Sequence, residues 1–214
     1  MKNQTFKEEF SGFLMTEWEK DEYADVIGEK QLYVSHGGHC LSYENTESGL
    51  KVSIPADLQG KHEEADTVIA RHVKLLCGKS ILVRSSDTDV LIILLALVGR
   101  LALKDLKMDY GSGNTRRYID VSGIAENLNK TSPCFTDALL GFHALTGCDF
   151  TSSFNRKGKI QPFKRLESDH EYVNPMCTLS TTDVDVDGLT KYVALLYHCD
   201  TSNENDDGDI RAHY

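Results

Sequence analysis

The stretch HEEADTVIARHVKLLCGKSILVRSSDTDVLIILLALV, residues 62–98, decides the fold class. In its first half Ala65, Val68, Ile69, Val73 and Leu76 recur at helical spacing, so one stripe is apolar. Glu63, Glu64 and Asp66 crowd the expected first turn, where negative charge suits the helix dipole. Cys77-Gly78-Lys79 ends this helix, with Gly78 as its left-handed cap. Ile81-Leu82-Val83, bounded by Gly78 and Ser85-Ser86-Asp87, then predicts a short buried strand. Val90 to Val98 is wholly apolar and predicts a second helix. Helix, buried strand and apolar helix together imply an α/β layered core. In such sheets the crevice beyond a strand's carboxyl end is the usual ligand site, and Asp87 and Asp89 stand there.

Working outward, 214 residues set one ordinary domain as the default, with two small ones possible. The N-terminus MKNQTFKEEF is too polar for a secretory signal, and the run Val90–Val98 is too short to span a bilayer. Cys40, Cys77, Cys134, Cys148, Cys177 and Cys199 contain no C-x-x-C pair, which argues against a zinc ribbon and for reduced thiols. The expectation is an intracellular protein, nuclear or cytoplasmic, without membrane contact. A net charge of −10 argues at first against nucleic acid. Its distribution softens this, because acids gather near the termini while Arg156, Lys157, Lys159, Lys164 and Arg165 fall together.

Residues 2–27 predict a helix whose stripe of Phe6, Phe10, Phe13, Leu14 and Trp18 packs into a core. Alternation at Leu32 and Val34, and at Leu50, Val52 and Ile54, predicts two half-buried strands. Between them His36-Gly37-Gly38-His39-Cys40 reads as a glycine-rich turn that happens to carry zinc-ligand types. Leu106–Tyr110 and Arg117–Val121 flank Gly111-Ser112-Gly113-Asn114 as a hairpin, on which Arg116 and Arg117 read as solvated charges. Ser122 is the expected cap of a short helix over Gly123–Leu128. Phe135–Leu145 predicts a helix with His143 as a packed or half-exposed passenger, followed by an elbow that exposes Asp149. Glu167, Asp169 and Glu171 read as a solvated loop, Leu189–Tyr197 as a last helix, and residues 201–214 as a polar tail. The expected organisation is an N-terminal extension over 1–61, a core over 62–200 and that tail.

Glu64, Asp66, Asp87, Asp89 and Asp149 are hard oxygen donors of the kind that suit Mg²⁺ or Mn²⁺. Two such ions about 4 Å apart activate water and steady the leaving oxygen of a phosphodiester. Asp87 and Asp89, two apart in an extended turn, are expected to point to one side.

The order of these acids carries a family resemblance. Glu64-Ala65-Asp66 resembles the acidic helix start E-A-E of the flap endonuclease and XPG-type nucleases, within the PIN-like superfamily. Ser86-Asp87-Thr88-Asp89 resembles their strand-end D-x-D, and Gly147-Cys148-Asp149-Phe150 their G-C-D-Y block. More closely, EEADT, RSSDTDVLI, RRYIDV and FHALTGCD look like a group of uncharacterised animal proteins that carry such a domain. The resemblance covers about residues 62–160. It implies a three-layer, Rossmann-like fold with a central, mainly parallel sheet between helices, plus β-hairpins. It also implies metal-dependent hydrolysis of DNA or RNA, with Glu64, Asp66, Asp87, Asp89 and Asp149 as metal ligands and Asp87, Asp89 and Asp149 at the chemistry. Arg156, Lys157, Lys159, Lys164 and Arg165 stand where that family grips phosphates, although they lack its G-x-G spacing. Residues 1–61 hold no apolar strand ending in the family's first aspartate, so the chain reads as a version without its first strands, completed by a missing segment or a protein partner. Two other readings are a degenerate PIN-like module that binds nucleic acid or a protein partner without cutting, and a haloacid-dehalogenase-type phosphatase. The latter fits less well, because Leu91 takes the last position of its D-x-D-x-T/V motif.

Overall fold

A computed structural model describes residues 4–60, 65–76, 78–101, 103–148 and 151–197. The chain is α/β and divides into two compact units, Met1–His72 and Val73–Tyr214.

In the first unit, helix α1 (Gln4–Glu17) and the short α2 (Ala24–Ile27) precede an antiparallel meander of β1 (Gln31–His36), β2 (His39–Thr46) and β3 (Gly49–Ser53). Gly37 and Gly38 form the two-residue turn between β1 and β2, both at positive φ (+58° and +85°), the geometry that matches strand twist in a tight hairpin. The sequence reading misses β2, because it takes this turn and the first residues of the strand for one loop. Tyr43 on β2 is fully buried, and its hydroxyl donates to the Met15 carbonyl at 2.8 Å. The phenylalanine stripe is a correction: Phe6, Phe10 and Phe13 are 62%, 49% and 56% exposed. Helix α1 meets β1 through its other side, where Ser11, Gly12, Leu14, Met15 and Trp18 are half-buried. Helix α3 (Ala65–Leu75) begins in the first unit and ends in the second, with Val73 buried, and Gly78 sits beyond its end at φ +87°, as expected.

The second unit is built on β4 (Ile81–Arg84), α4 (Thr88–Leu101) and β5 (Leu106–Tyr110), a β-α-β unit in which β4 and β5 pair in parallel from Ile81↔Leu106 to Arg84↔Asp109. Strand β6 (Arg117–Asp120) returns antiparallel, so the sheet order is β4-β5-β6. The sheet is therefore mixed and small, with one parallel pair among the described residues. As its edge, β4 buries Ile81 and Val83 and exposes Leu82 at 57%, where the sequence predicts burial on both faces. The remaining helices are α5 (Val121–Thr131), α6 (Phe135–Thr146), α7 (Ile160–Ser168), α8 (Val173–Thr178) and α9 (Val186–Leu196). Helices α4, α5 and α6 pack on one another, and α6 packs on α8 so closely that a Cβ on Gly141 would overlap the Met176 carbonyl. Leu94, Leu106, Met108, Val121, Ala138, Leu166, Met176 and Tyr192 are fully buried in this unit's core.

Two local assignments change. Asp120, not Ser122, caps α5, with its Oδ1 accepting the Gly123 N–H at 3.0 Å. Ser122 is buried, and its Oγ bridges the Leu106 N–H (2.9 Å) and the Leu103 carbonyl (3.0 Å). Arg116 is no loose hairpin charge either. Its Nε and Nη2 each donate to the buried Asp109 at 2.8 Å, while Arg117 lies over the Tyr110 ring. Hydrogen bonding from Arg116 holds the Asp109 carboxyl below its ordinary range, against the opposing effect of burial.

Candidate functional site at the carboxyl end of β4

Strand β4 ends at Arg84, and Ser85-Ser86-Asp87 lead into α4. The Asp87 N–H donates to Ser85 Oγ at 3.1 Å, and Asp87 Oδ1 accepts the Asp89 N–H at 2.9 Å. Asp87 thus satisfies one of the orphan donors in the first turn of α4 while keeping Oδ2 available. Because Thr88 is already helical, Asp89 does not stay beside Asp87 as an extended turn predicts. It turns toward α6, where His143 Nε2 lies 3.0 Å from Asp89 Oδ1. That separation is an ion-pair distance, but the oxygen lies off the ring N–H direction. Nε2 is buried and makes no hydrogen bond among the described residues. The other ring nitrogen, Nδ1, stands 2.7 Å from Lys159 Nζ.

Cys148 completes the group. One carboxylate oxygen of Asp89, one ring nitrogen of His143 and Cys148 Sγ all lie within 4.8 Å of one another. The turn that presents Cys148 is built by Gly147 and Thr151. Gly147 adopts φ +104°, and a Cβ there would meet Ser153 Cα at 2.6 Å, so no other residue fits without moving the backbone. Thr151 Oγ1 donates to the Ala144 carbonyl at 2.7 Å and accepts the Cys148 N–H at 3.1 Å. With its hydrogen committed, Thr151 Oγ1 can only accept from the Cys148 thiol, 3.3 Å away.

The expected site residues separate as follows. Asp87 and Asp89 both follow the end of β4, but Asp87 caps α4 while the Asp89 carboxylate turns to His143. Asp66 lies in α3, within the first unit. Glu63, Glu64 and Asp149 lie outside the described residues. The basic group also divides. Arg156, Lys157, Lys164 and Arg165 line one cleft of about 580 Å³ with Gly158, Gln161, Pro162, Ser168, Leu195 and Leu196, and no carboxylate is among the lining residues. Lys157 Nζ stacks 4.9 Å over the Tyr197 ring. Lys159 leaves the group for His143. Among the described residues the His36–Cys40 turn gathers no ligand set; His39 is exposed and its strand neighbour Cys40 is buried. His143 and Cys148 are the residues the sequence reading passes over. Their only signal is that a histidine in the last turn of α6 stands just before a cysteine and the expected acid.

No protein-family model matches the chain, and neither a curated protein nor a solved structure is found similar to it. Among the described residues no helix is long and apolar enough to cross a membrane.

Chemically, the unit offers two devices. One is a pair of carboxylates with a histidine and a thiol at the carboxyl end of a parallel strand. The other is a cleft of four cations on a chain of net charge −10, a local reversal of sign that suits an anionic ligand.

Proposed function

We propose that this chain is a PIN-like, metal-dependent nuclease domain of the flap endonuclease and XPG type that hydrolyses phosphodiester bonds in DNA or RNA. The observation that carries the reading is the position of Asp87 and Asp89 at the carboxyl end of β4, beside the parallel partner β5. Of the small mixed sheet, the parallel β4–β5 pair is the feature that supports a three-layer PIN-like fold. Mg²⁺ or Mn²⁺ suits these residues, because magnesium is commonly held by one or two carboxylates, with water and substrate phosphate filling the other positions. When bound, such an ion supplies a more acidic water and neutralises charge on the phosphate.

The chain's own residues have distinct tasks. Asp87 fixes the start of α4 through Oδ1; Asp89 presents its carboxylate toward α6. Arg156, Lys157, Lys164 and Arg165 hold backbone phosphates in the cleft without reading sequence, and the exposed lysine and arginine heads tolerate either DNA or RNA.

A second reading, a degenerate PIN-like module that binds nucleic acid without cutting it, is favoured by one feature. Asp89 faces a histidine, and Asp87 spends an oxygen on the helix cap, so neither carboxylate is wholly available to a hard ion. Labelled single-stranded, duplex and flap DNA, with RNA alongside, incubated in Mn²⁺ and in EDTA, separates the two. Cutting that requires metal and is lost in Asp87→Asn supports the nuclease. Binding without cutting by the folded protein supports the module, and cutting that persists in Asp87→Asn counts against both roles for Asp87.

A further inference from the structure

Asp89, His143 and Cys148 come from three separate points of the second unit: the first turn of α4, the last turn of α6, and the turn after it. A cysteine–histidine–acid relay would use the two ring nitrogens for different partners, one for the thiol and one for the carboxylate. Here Nδ1 is taken by Lys159, and Nε2 faces Asp89. One ring nitrogen, one oxygen and one sulfur instead converge within 4.8 Å. Nε2 approaches Asp89 Oδ1 to 3.0 Å without a hydrogen bond, so neither atom satisfies the other.

The donor set decides the ion. Thiolate, imidazole and carboxylate select a borderline ion of the zinc class, whereas magnesium avoids sulfur and nitrogen. Zinc–ligand bonds of about 2.0–2.3 Å set tetrahedral donors roughly 3.3–3.7 Å apart, so closure on an ion needs movements of about an ångström. Three protein donors leave a fourth position open, the arrangement of catalytic rather than structural zinc.

We propose that Asp89, His143 and Cys148 bind a zinc-class divalent cation, and that Lys159 guards the site by holding His143 in the tautomer that cannot bind it. A lysine ammonium only donates, so at 2.7 Å it requires Nδ1 to accept, which leaves the ring proton on Nε2. An ion takes Nε2 only when that proton moves to Nδ1, and a protonated Nδ1 repels Lys159. Loading and the Lys159–His143 contact therefore exclude one another. The Cys148 thiol proton passes to solvent as the Sγ–metal bond forms. This site shares Asp89 with the nuclease reading but does not rest on it, and it assigns Asp87 no part.

The test is titration of the chelator-stripped full chain with Co²⁺ alone, followed by optical absorption. One equivalent is expected to raise a thiolate-to-cobalt charge-transfer band in the near ultraviolet together with visible ligand-field bands, all of which Zn²⁺ removes. Cys148→Ser is expected to abolish the charge-transfer band, and Lys159→Gln, whose amide oxygen accepts from a protonated Nδ1, to tighten binding about tenfold or more. Circular dichroism checks that each variant is folded; Lys159 is exposed, so its variant keeps the test open if Cys148→Ser fails to fold. No charge-transfer band in either the wild type or Lys159→Gln overturns the site. A band that survives in Cys148→Ser assigns the sulfur to another cysteine and overturns it equally, and unchanged affinity in Lys159→Gln overturns the guard. Asp87→Asn is expected to keep the cobalt bands while losing Mn²⁺-dependent cleavage, so failure of one proposal is distinguishable from failure of the other.

Discussion

Replacing Gly147 by alanine tests the turn that carries Cys148. At φ +104° and ψ 132° the backbone occupies a region that L side chains avoid, a strain of about 1–3 kcal/mol. The added Cβ would also stand 2.6 Å from Ser153 Cα and 2.9 Å from Ser153 N, both backbone atoms that cannot swing aside. Overpacking of this kind costs about 1–3 kcal/mol more. Gly147→Ala is therefore expected to lose about 2–6 kcal/mol, a large part of the roughly 5–15 kcal/mol that stabilises an ordinary domain. Urea unfolding followed by circular dichroism measures it. The two bonds between Cys148 and Thr151 backbone atoms, each 3.3 Å, should loosen with it, so the cobalt charge-transfer band should weaken at protein concentrations where the variant is still folded. A loss below about 1 kcal/mol with an unchanged band would refute the reasoning, since it would mean that the turn accommodates a side chain without moving.

Other consequences follow from single contacts. Asp120→Ala removes the α5 cap and is expected to cost about 1 kcal/mol in urea unfolding. Ser122→Ala strands a buried amide and carbonyl, with an expected loss of about 1–3 kcal/mol in the same assay. The Asp109 carboxyl is held below its ordinary value of 3.8, so its contribution is complete above that pH and is lost as pH falls through the lowered value; melting temperatures below pH 4 should fall more steeply in the wild type than in Asp109→Asn. Burial pushes the Cys177 thiol up to about 11, whereas Cys134 is exposed, so iodoacetamide at pH 8 followed by peptide mapping should modify Cys134 before Cys177.

Periodicity and punctuation reach much of this fold from the sequence. The stripe from Val68 to Leu76, the apolar run after Asp89, the hairpin around Gly111–Asn114 and the helix from Phe135 all lie where local pattern puts them, because each buries a face that its own spacing defines. The failures have physical causes. The sequence reading takes Glu167, Asp169 and Glu171 for a solvated loop, whereas Glu167 belongs to α7, which like α8 holds a proline at its third position, where a missing N–H costs nothing. Capping of α5 went to Asp120 because the Ser122 hydroxyl is committed to a buried backbone pair. At the site, Asp87 and Asp89 are found by their place after a strand. His143, Cys148 and Lys159 are brought to Asp89 by the packing of α6 on α4, and no local spacing encodes that.

The claim common to the nuclease and to a non-cutting module that binds nucleic acid is that the cleft of the second unit holds a phosphate backbone. Fluorescence anisotropy of a labelled oligonucleotide in EDTA, with Arg156→Glu/Lys164→Glu beside the wild type, tests it without interference from cleavage. The account predicts wild-type binding that weakens steeply as salt rises, and loss of that binding in the double variant with the fold intact by circular dichroism. Binding that is equal in the two proteins, or absent from the wild type at low salt, would contradict it.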